Sequence, residues 1–158
     1  MDNNDLMRRI RYAVRLDDAD TARLLALGGV GATADDAAAW RAREDEPGYR
    51  ACPDAVLPAL LDGLILERRG PPPPGRAAAL ESGEPLRWPD NNRVLKQLRV
   101  ALELPAEEIR SLVAAGGGQL GKGELGALFR KPGTRNYRPC GDQVLRRFLA
   151  GLALRREG

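Results

Sequence analysis

Apolar residues recur at helical spacing from the start of the chain: Leu6, Ile10, Ala13 and Val14 share one face behind the polar run Asn3-Asn4-Asp5. The pattern predicts a helix over roughly 4–16 with a polar cap. Arg8, Arg11 and Arg15 fall on one flank of it. Asp17, Asp18 and Asp20 suit a second helix N-terminus, where carboxylates meet unpaired amides and the positive end of the helix dipole. Leu24, Leu25 and Leu27 follow, and Gly28-Gly29 stops that helix. Thr33 with Asp36 has the form of a capping box, opening a third helix through Trp40 into the charged run Arg43-Glu44-Asp45-Glu46. After the Pro47-Gly48 turn, Cys52 and Pro53 suit the cap and first position of a fourth helix, with Leu57, Leu60, Leu61 and Leu64 as its buried stripe. Pro58 sits inside that span and is expected to kink it.

The same elements are then written again. Adding 88 to Tyr49-Arg50-Ala51-Cys52-Pro53-Asp54 lands on Tyr137-Arg138-Pro139-Cys140-Gly141-Asp142. The register also carries Asn3 and Asn4 onto Asn91 and Asn92, Arg11 onto Arg99, and Gly63-Leu64 onto Gly151-Leu152 without a gap. The expected fold is therefore all-α: a first repeat over 1–70, a Pro-rich linker over 71–90 and a second repeat over 91–158, each of roughly four helices. Four consecutive prolines favour extended geometry in the linker, where Trp88 is the one candidate for docking. The stretches Gly116-Gly117-Gly118 and Gly121 to Gly126 look loose. Each half alone buries only a marginal core, so the halves are expected to pack as an intramolecular pseudo-dimer, with the fourth helices, Gly63 and Gly151 near the interface.

Composition narrows the class. Ala, Leu and Arg dominate while aromatic content is 4%, which suits an aliphatic, helix-prone chain. No run of 18 apolar residues occurs and the opening lacks a signal-peptide pattern, so a soluble cytoplasmic protein is expected, with no membrane partner. Two cysteines with no histidine fall short of a zinc ligand set, and no cofactor motif is present.

Each repeated residue has a functional and a structural reading. Cys52 and Cys140, at helix N-termini beside Arg50 and Arg138, would be thiolates if the dipole and guanidinium lowered their pKa; burial as small core residues is the more frequent state of free cysteine. Asp54 and Asp142 lack the histidine or phosphate loop that would mark a general base. First-turn stabilisation, or pairing with Arg11 and Arg99, accounts for them more simply. Tyr49 and Tyr137 offer rings for base stacking but are expected to pack beside the fourth helix. Gly63 and Gly151 are each expected to permit close helix approach, which offsets their cost of about 1 kcal/mol in a helix.

The paired Asn-Asn openings, Tyr-Arg-x-Cys-x-Asp segments and Leu-x-Gly-Leu helices resemble the YehS family of uncharacterised bacterial proteins, over nearly the whole chain. The resemblance implies the tandem two-copy organisation and carries over no catalytic residue or cofactor.

Charge is the feature that points beyond structure. Residues 1–70 hold 10 basic and 13 acidic side chains, net −3, whereas residues 91–158 hold 13 and 6, net +7. Glu44, Asp45 and Glu46 in the first repeat face, at the same places in the second, a region carrying Arg130, Lys131, Arg135 and Arg138, with Arg146 and Arg147 beyond. A basic face attracts phosphates or an acidic protein surface. The expectation is a non-enzymatic helical adaptor or regulator that binds through this second half, with protein and nucleic acid both open as partners. The alternative is a thiol sensor or enzyme using Cys52 and Cys140.

Overall fold

The computed structural model describes residues 1–71 and 89–157, with side chains to residue 155. The Trp88 docking and most of the proposed linker fall outside these residues. Eight helices are present and no strand occurs among the described residues: α1 Asn3–Val14, α2 Asp18–Leu27, α3 Ala34–Arg41, α4 Val56–Arg69, α5 Asn91–Leu102, α6 Ala106–Ala115, α7 Lys122–Leu128 and α8 Asp142–Glu157. No helix among the described residues is long and apolar enough to cross a membrane.

The caps explain most boundaries. The Asp17–Asp20 and Thr33–Asp36 pairs form reciprocal capping boxes at the starts of α2 and α3. The first helix opens one residue earlier than its polar run suggested. Asp2 is the cap, its carboxylate accepting from the Asp5 amide at 2.7 Å, and Asp90 does the same for Arg93 at 2.8 Å at the start of α5. This leaves Asn3 and Asn4 inside the first turn with their side chains available for long-range bonds. Both helices end on a left-handed residue, Arg15 at φ 60° and Glu103 at φ 54°.

The fourth helix departs from expectation. In the first repeat it begins at Val56, after a turn, and not at Cys52-Pro53. Pro58 is the reason: its ring would clash with the carbonyl of a helical Asp54, so the helix starts where proline occupies the first turn and costs no hydrogen bond. No kink is needed. With Arg146 at the equivalent place, α8 begins at Asp142. The segment around Gly116 is not loose either, and α7 occupies most of the second glycine-rich stretch.

The two repeats interleave. Within each, the second helix lies along the fourth, α2 on α4 and α6 on α8, but the first helix of each repeat packs mainly on the fourth helix of the other, α1 on α8 and α5 on α4. One core results, with Leu6, Ile10, Leu57 and Leu61 joined to Leu95, Leu98, Phe148 and Leu149. Gln97 on α5 donates to Asp62 on α4 at 3.0 Å, and Arg69 pairs with Glu103 across the same junction.

Gly63 and Gly151 do not mark that junction. A Cβ at Gly63 would stand 2.0 Å from the Leu24 carbonyl oxygen, and one at Gly151 1.8 Å from that of Leu112. Reciprocally, a Cβ at Gly28 or Gly116 would stand 1.9 Å from the carbonyl oxygen of Ala59 or Arg147. The glycines therefore form two matched pairs that bring the second and fourth helices of one repeat into backbone contact.

Candidate functional site

The repeated asparagines assemble the segment that carries the cysteines. Asn4 is 4% exposed; its amide nitrogen donates to the Arg50 carbonyl at 2.9 Å and to those of Ala42 and Ala39 at 3.3 and 3.4 Å, while its oxygen accepts from the Cys52 amide at 2.8 Å. Asn92 repeats this on Leu128, Arg138 and Cys140, the last at 2.7 Å. Asn3 donates to the Cys52 carbonyl and to Asp54, and Asn91 to Cys140 and Asp142. An amide suits this work because it donates and accepts at once. The Asn91 hydrogen bond, then the N-terminal ammonium of Met1 at 2.9 Å, hold the Asp142 carboxyl below its ordinary pKa.

Arg11 and Arg99 do not reach Asp54 or Asp142. Arg11, 3% exposed, donates to the Ala37 carbonyl at 2.8 Å and to Asp18 at 2.5 Å. Arg99 donates to the Leu104 carbonyl at 3.2 Å and stacks 4.7 Å from the centre of the Phe129 ring. The expected pairing fails because the first helix of a repeat packs away from its own fourth helix. Asparagine, which reaches the acidic residue from the first turn, takes the place assigned to arginine.

Cys52 and Cys140 are buried. Burial pushes the Cys52 thiol up to about 12 and the Cys140 thiol up to about 11, with Asp54 and Asp142 adding to it. Cys52 does not cap α4; at Cys140 the Leu145 amide in the first turn of α8 acts in the opposite direction, and burial outweighs it. Tyr49 and Tyr137 are half-buried beside these segments, each amide bonded back into its loop.

The six basic residues separate into four groups. Arg147 donates to the Gly116 carbonyl at 3.2 Å, tying α8 to the end of α6. The Nε of half-buried Arg146 has no hydrogen-bond partner among the described residues. Arg138 pairs with Glu124 at 3.5 Å. Arg130, Lys131 and Arg135 stand exposed on the loop between α7 and α8, without an ion pair among the described residues. The matching loop of the first repeat has the same turn, with Gly48 at φ 82° where Asn136 has φ 70°, but carries Glu44, Asp45 and Glu46.

A site missed by sequence reasoning lies where α1, the α1–α2 turn, α3 and α8 meet. An open cleft of about 550 Å³ is lined by Arg8, Arg11, Tyr12, Arg15, Leu16, Asp17, Asp18, Arg41 and Ala153. Arg41 grips Asp18 through two bonds of 2.9 and 3.2 Å, beside the bond from Arg11. Arg41 first, then Arg11, hold the Asp18 carboxyl down to about 2 against the opposing effect of burial. The arginine flank of α1 was legible; its convergence with Arg41 and Asp18 was not. The signal that finds it is the repeat register itself, which sets Arg41 against Phe129 and Asp18 against Ala106.

A family model described as protein of unknown function, DUF1456, matches residues 3–70 and again residues 91–158. The chain is 42% identical over 153 residues to the uncharacterized protein YehS of Escherichia coli strain K12, covering 97% of this chain and 95% of that protein. No solved structure matches. With both repeats matched and nearly the whole length aligned to that relative, the chain belongs to the DUF1456 family.

Proposed function

We propose that this is a non-enzymatic binding protein of the bacterial cytoplasm, an adaptor or regulator that engages an acidic partner through its second repeat. The observation that carries the reading is the loop between α7 and α8. Arg130, Lys131 and Arg135 stand there exposed and unpaired among the described residues, on a backbone turn that in the first repeat presents acidic side chains. Unpaired guanidinium groups engage carboxylates or phosphates at little desolvation cost. Both an acidic protein surface and a nucleic-acid backbone fit this chemistry. The reading narrows the basic patch to Arg130, Lys131 and Arg135, because Arg147 is engaged with Gly116, Arg138 with Glu124, and Arg146 is half-buried on α8.

Titration of labelled single- and double-stranded DNA and RNA at about 50 mM salt tests the nucleic-acid branch: log affinity should fall linearly with log salt, with a slope near 0.9 per duplex phosphate contacted. Reversing Arg130, Lys131 and Arg135 to glutamate should abolish binding. No shift at micromolar protein leaves an acidic protein partner, sought by low-salt copurification against the reversed variant. Equal recovery of every partner by both proteins would overturn the proposal. The thiol-sensor alternative draws no support from buried cysteines whose pKa is raised.

A further inference from the structure

Among the described residues that line the cleft on the first repeat, positive charge exceeds negative. Four arginines line it against two aspartates, and Asp18 alone serves both Arg11 and Arg41. Arg8, which donates to the Arg41 carbonyl at 3.0 Å, has its own carboxylate in Asp5, outside the lining. Arg11 is 3% exposed, and its Nε has no hydrogen-bond partner among the described residues. A buried guanidinium that shares its carboxylate with a second guanidinium favours another anion nearby.

The other repeat shows what the same scaffold does without this arrangement. At the equivalent places Arg41 becomes Phe129, Asp18 becomes Ala106, Arg15 becomes Glu103 and Tyr12 becomes Val100. Arg99 then needs only the Leu104 carbonyl and the Phe129 ring. Holding the helices together thus does not require the polar cluster.

The cleft also continues into an apolar groove. Tyr12 and Ala153 line both the cleft and a neighbouring trough of about 370 Å³ formed with Arg9, Leu149, Ala150 and Leu154. Tyr12 is 64% exposed and Leu154 54%, so a ring and an aliphatic side chain face solvent beside the arginines. Volumes of this order suit a small ligand.

We propose that the cleft binds a small amphiphilic oxyanion, its phosphate or carboxylate group held among Arg8, Arg11, Arg15 and Arg41 and its apolar body lying over Tyr12 toward Leu154. Guanidinium forks match both head groups, and the site is separate from the second-repeat loop. The probes are inorganic phosphate, phenyl phosphate and benzoate, added to the full chain at ionic strength matched with chloride. Phenyl phosphate or benzoate should raise the melting temperature above the chloride control, with inorganic phosphate weaker, and whichever of the two acts more strongly identifies the head group. Arg8→Gln should weaken that ligand about tenfold, the scale of one charge-assisted hydrogen bond. Lys96→Gln, at the matching place on α5, should leave it unchanged. Tyr12→Ala should abolish the advantage of phenyl phosphate over phosphate. Asp18→Asn removes the competing carboxylate; if it folds it should bind more tightly and recover more melting temperature from the probe than the natural chain does, which a purely structural ion pair does not predict. No response to any probe beyond chloride, or equal weakening by Arg8→Gln and Lys96→Gln, would overturn the proposal.

Discussion

Gly63→Ala is the sharpest perturbation of this fold. The added Cβ would lie 2.0 Å from the Leu24 carbonyl oxygen, where ordinary contact is 3.4–4 Å, and the obstacle is backbone, which no rotamer change relieves. To accept the methyl group, α4 must move off α2 by more than about 1 Å, a gap that forfeits about half or more of each dispersion contact across the seam. Leu24, Leu25, Leu60 and Leu64 are all at most 2% exposed there. Overpacking of this kind costs about 1–3 kcal/mol or more, and the intrinsic helical gain of Ala over Gly returns about 1. Because the obstacle is backbone, the cost lies at or above the top of that range, and a net loss of about 2 kcal/mol should lower the melting temperature by about 4–8 °C for a chain of this size. Gly126→Ala in α7 provides the internal control: a Cβ there meets nothing within 4 Å, so the same substitution should stabilise by about 0.5–1 kcal/mol. Thermal melts followed by far-UV circular dichroism read both. If Gly63→Ala melts at or above the natural protein, the close approach of α2 and α4 is wrong.

Four further outcomes follow from the same geometry. Asn4→Ala or Asn92→Ala strands several backbone groups that the amide now bonds, and each should cost about 2–4 kcal/mol in denaturant titration; a loss below about 0.5 kcal/mol would contradict the clamp. Residues 1–71 expressed alone should fail to melt cooperatively, because α1 has lost α8 and α4 has lost α5, and should fold on mixing with residues 89–158; a stable monomeric fragment would refute the interleaving. Iodoacetamide at neutral pH should leave Cys52 and Cys140 unlabelled until urea unfolds the chain, since burial holds both thiols protonated; labelling of the folded protein below neutral pH would revive the thiolate reading. Asp18, held from 3.8 down to about 2, should contribute stability that is fully present above pH 3.8 and lost as pH falls toward 2. The contribution is about 1–2 kcal/mol after solvent screening of a carboxylate 29% exposed. Asp18→Asn should flatten that part of the stability profile, and an unchanged acid limb would show that the guanidinium pair does not hold the carboxylate.

Local signals in the sequence determined the elements. Helical periodicity, the acidic run at Asp17, Asp18 and Asp20 and the Thr33–Asp36 capping box located α1 to α3, because capping and amphipathicity act within a few residues of chain. The 88-residue register established the duplication before any contact was known, and the cysteines read as core residues where the structure buries them. Partner choice was decided only in three dimensions. Nothing in a repeat states whether its first helix packs on its own fourth helix or on that of the other copy, since either buries the same stripe; the exchange of α1 and α5 redirected Arg11 from Asp54 to Asp18. The same ambiguity placed Gly63 at the wrong seam, because a small residue in a helix announces a close approach without naming what approaches. The late start of α4 followed from Pro58, whose effect depends on how far into the helix it falls. Arg41 and Asp18, 23 residues apart, became one site with Arg11 only when α1, α2 and α3 closed around them. A charge cluster drawn from three helices has no period of its own in the chain.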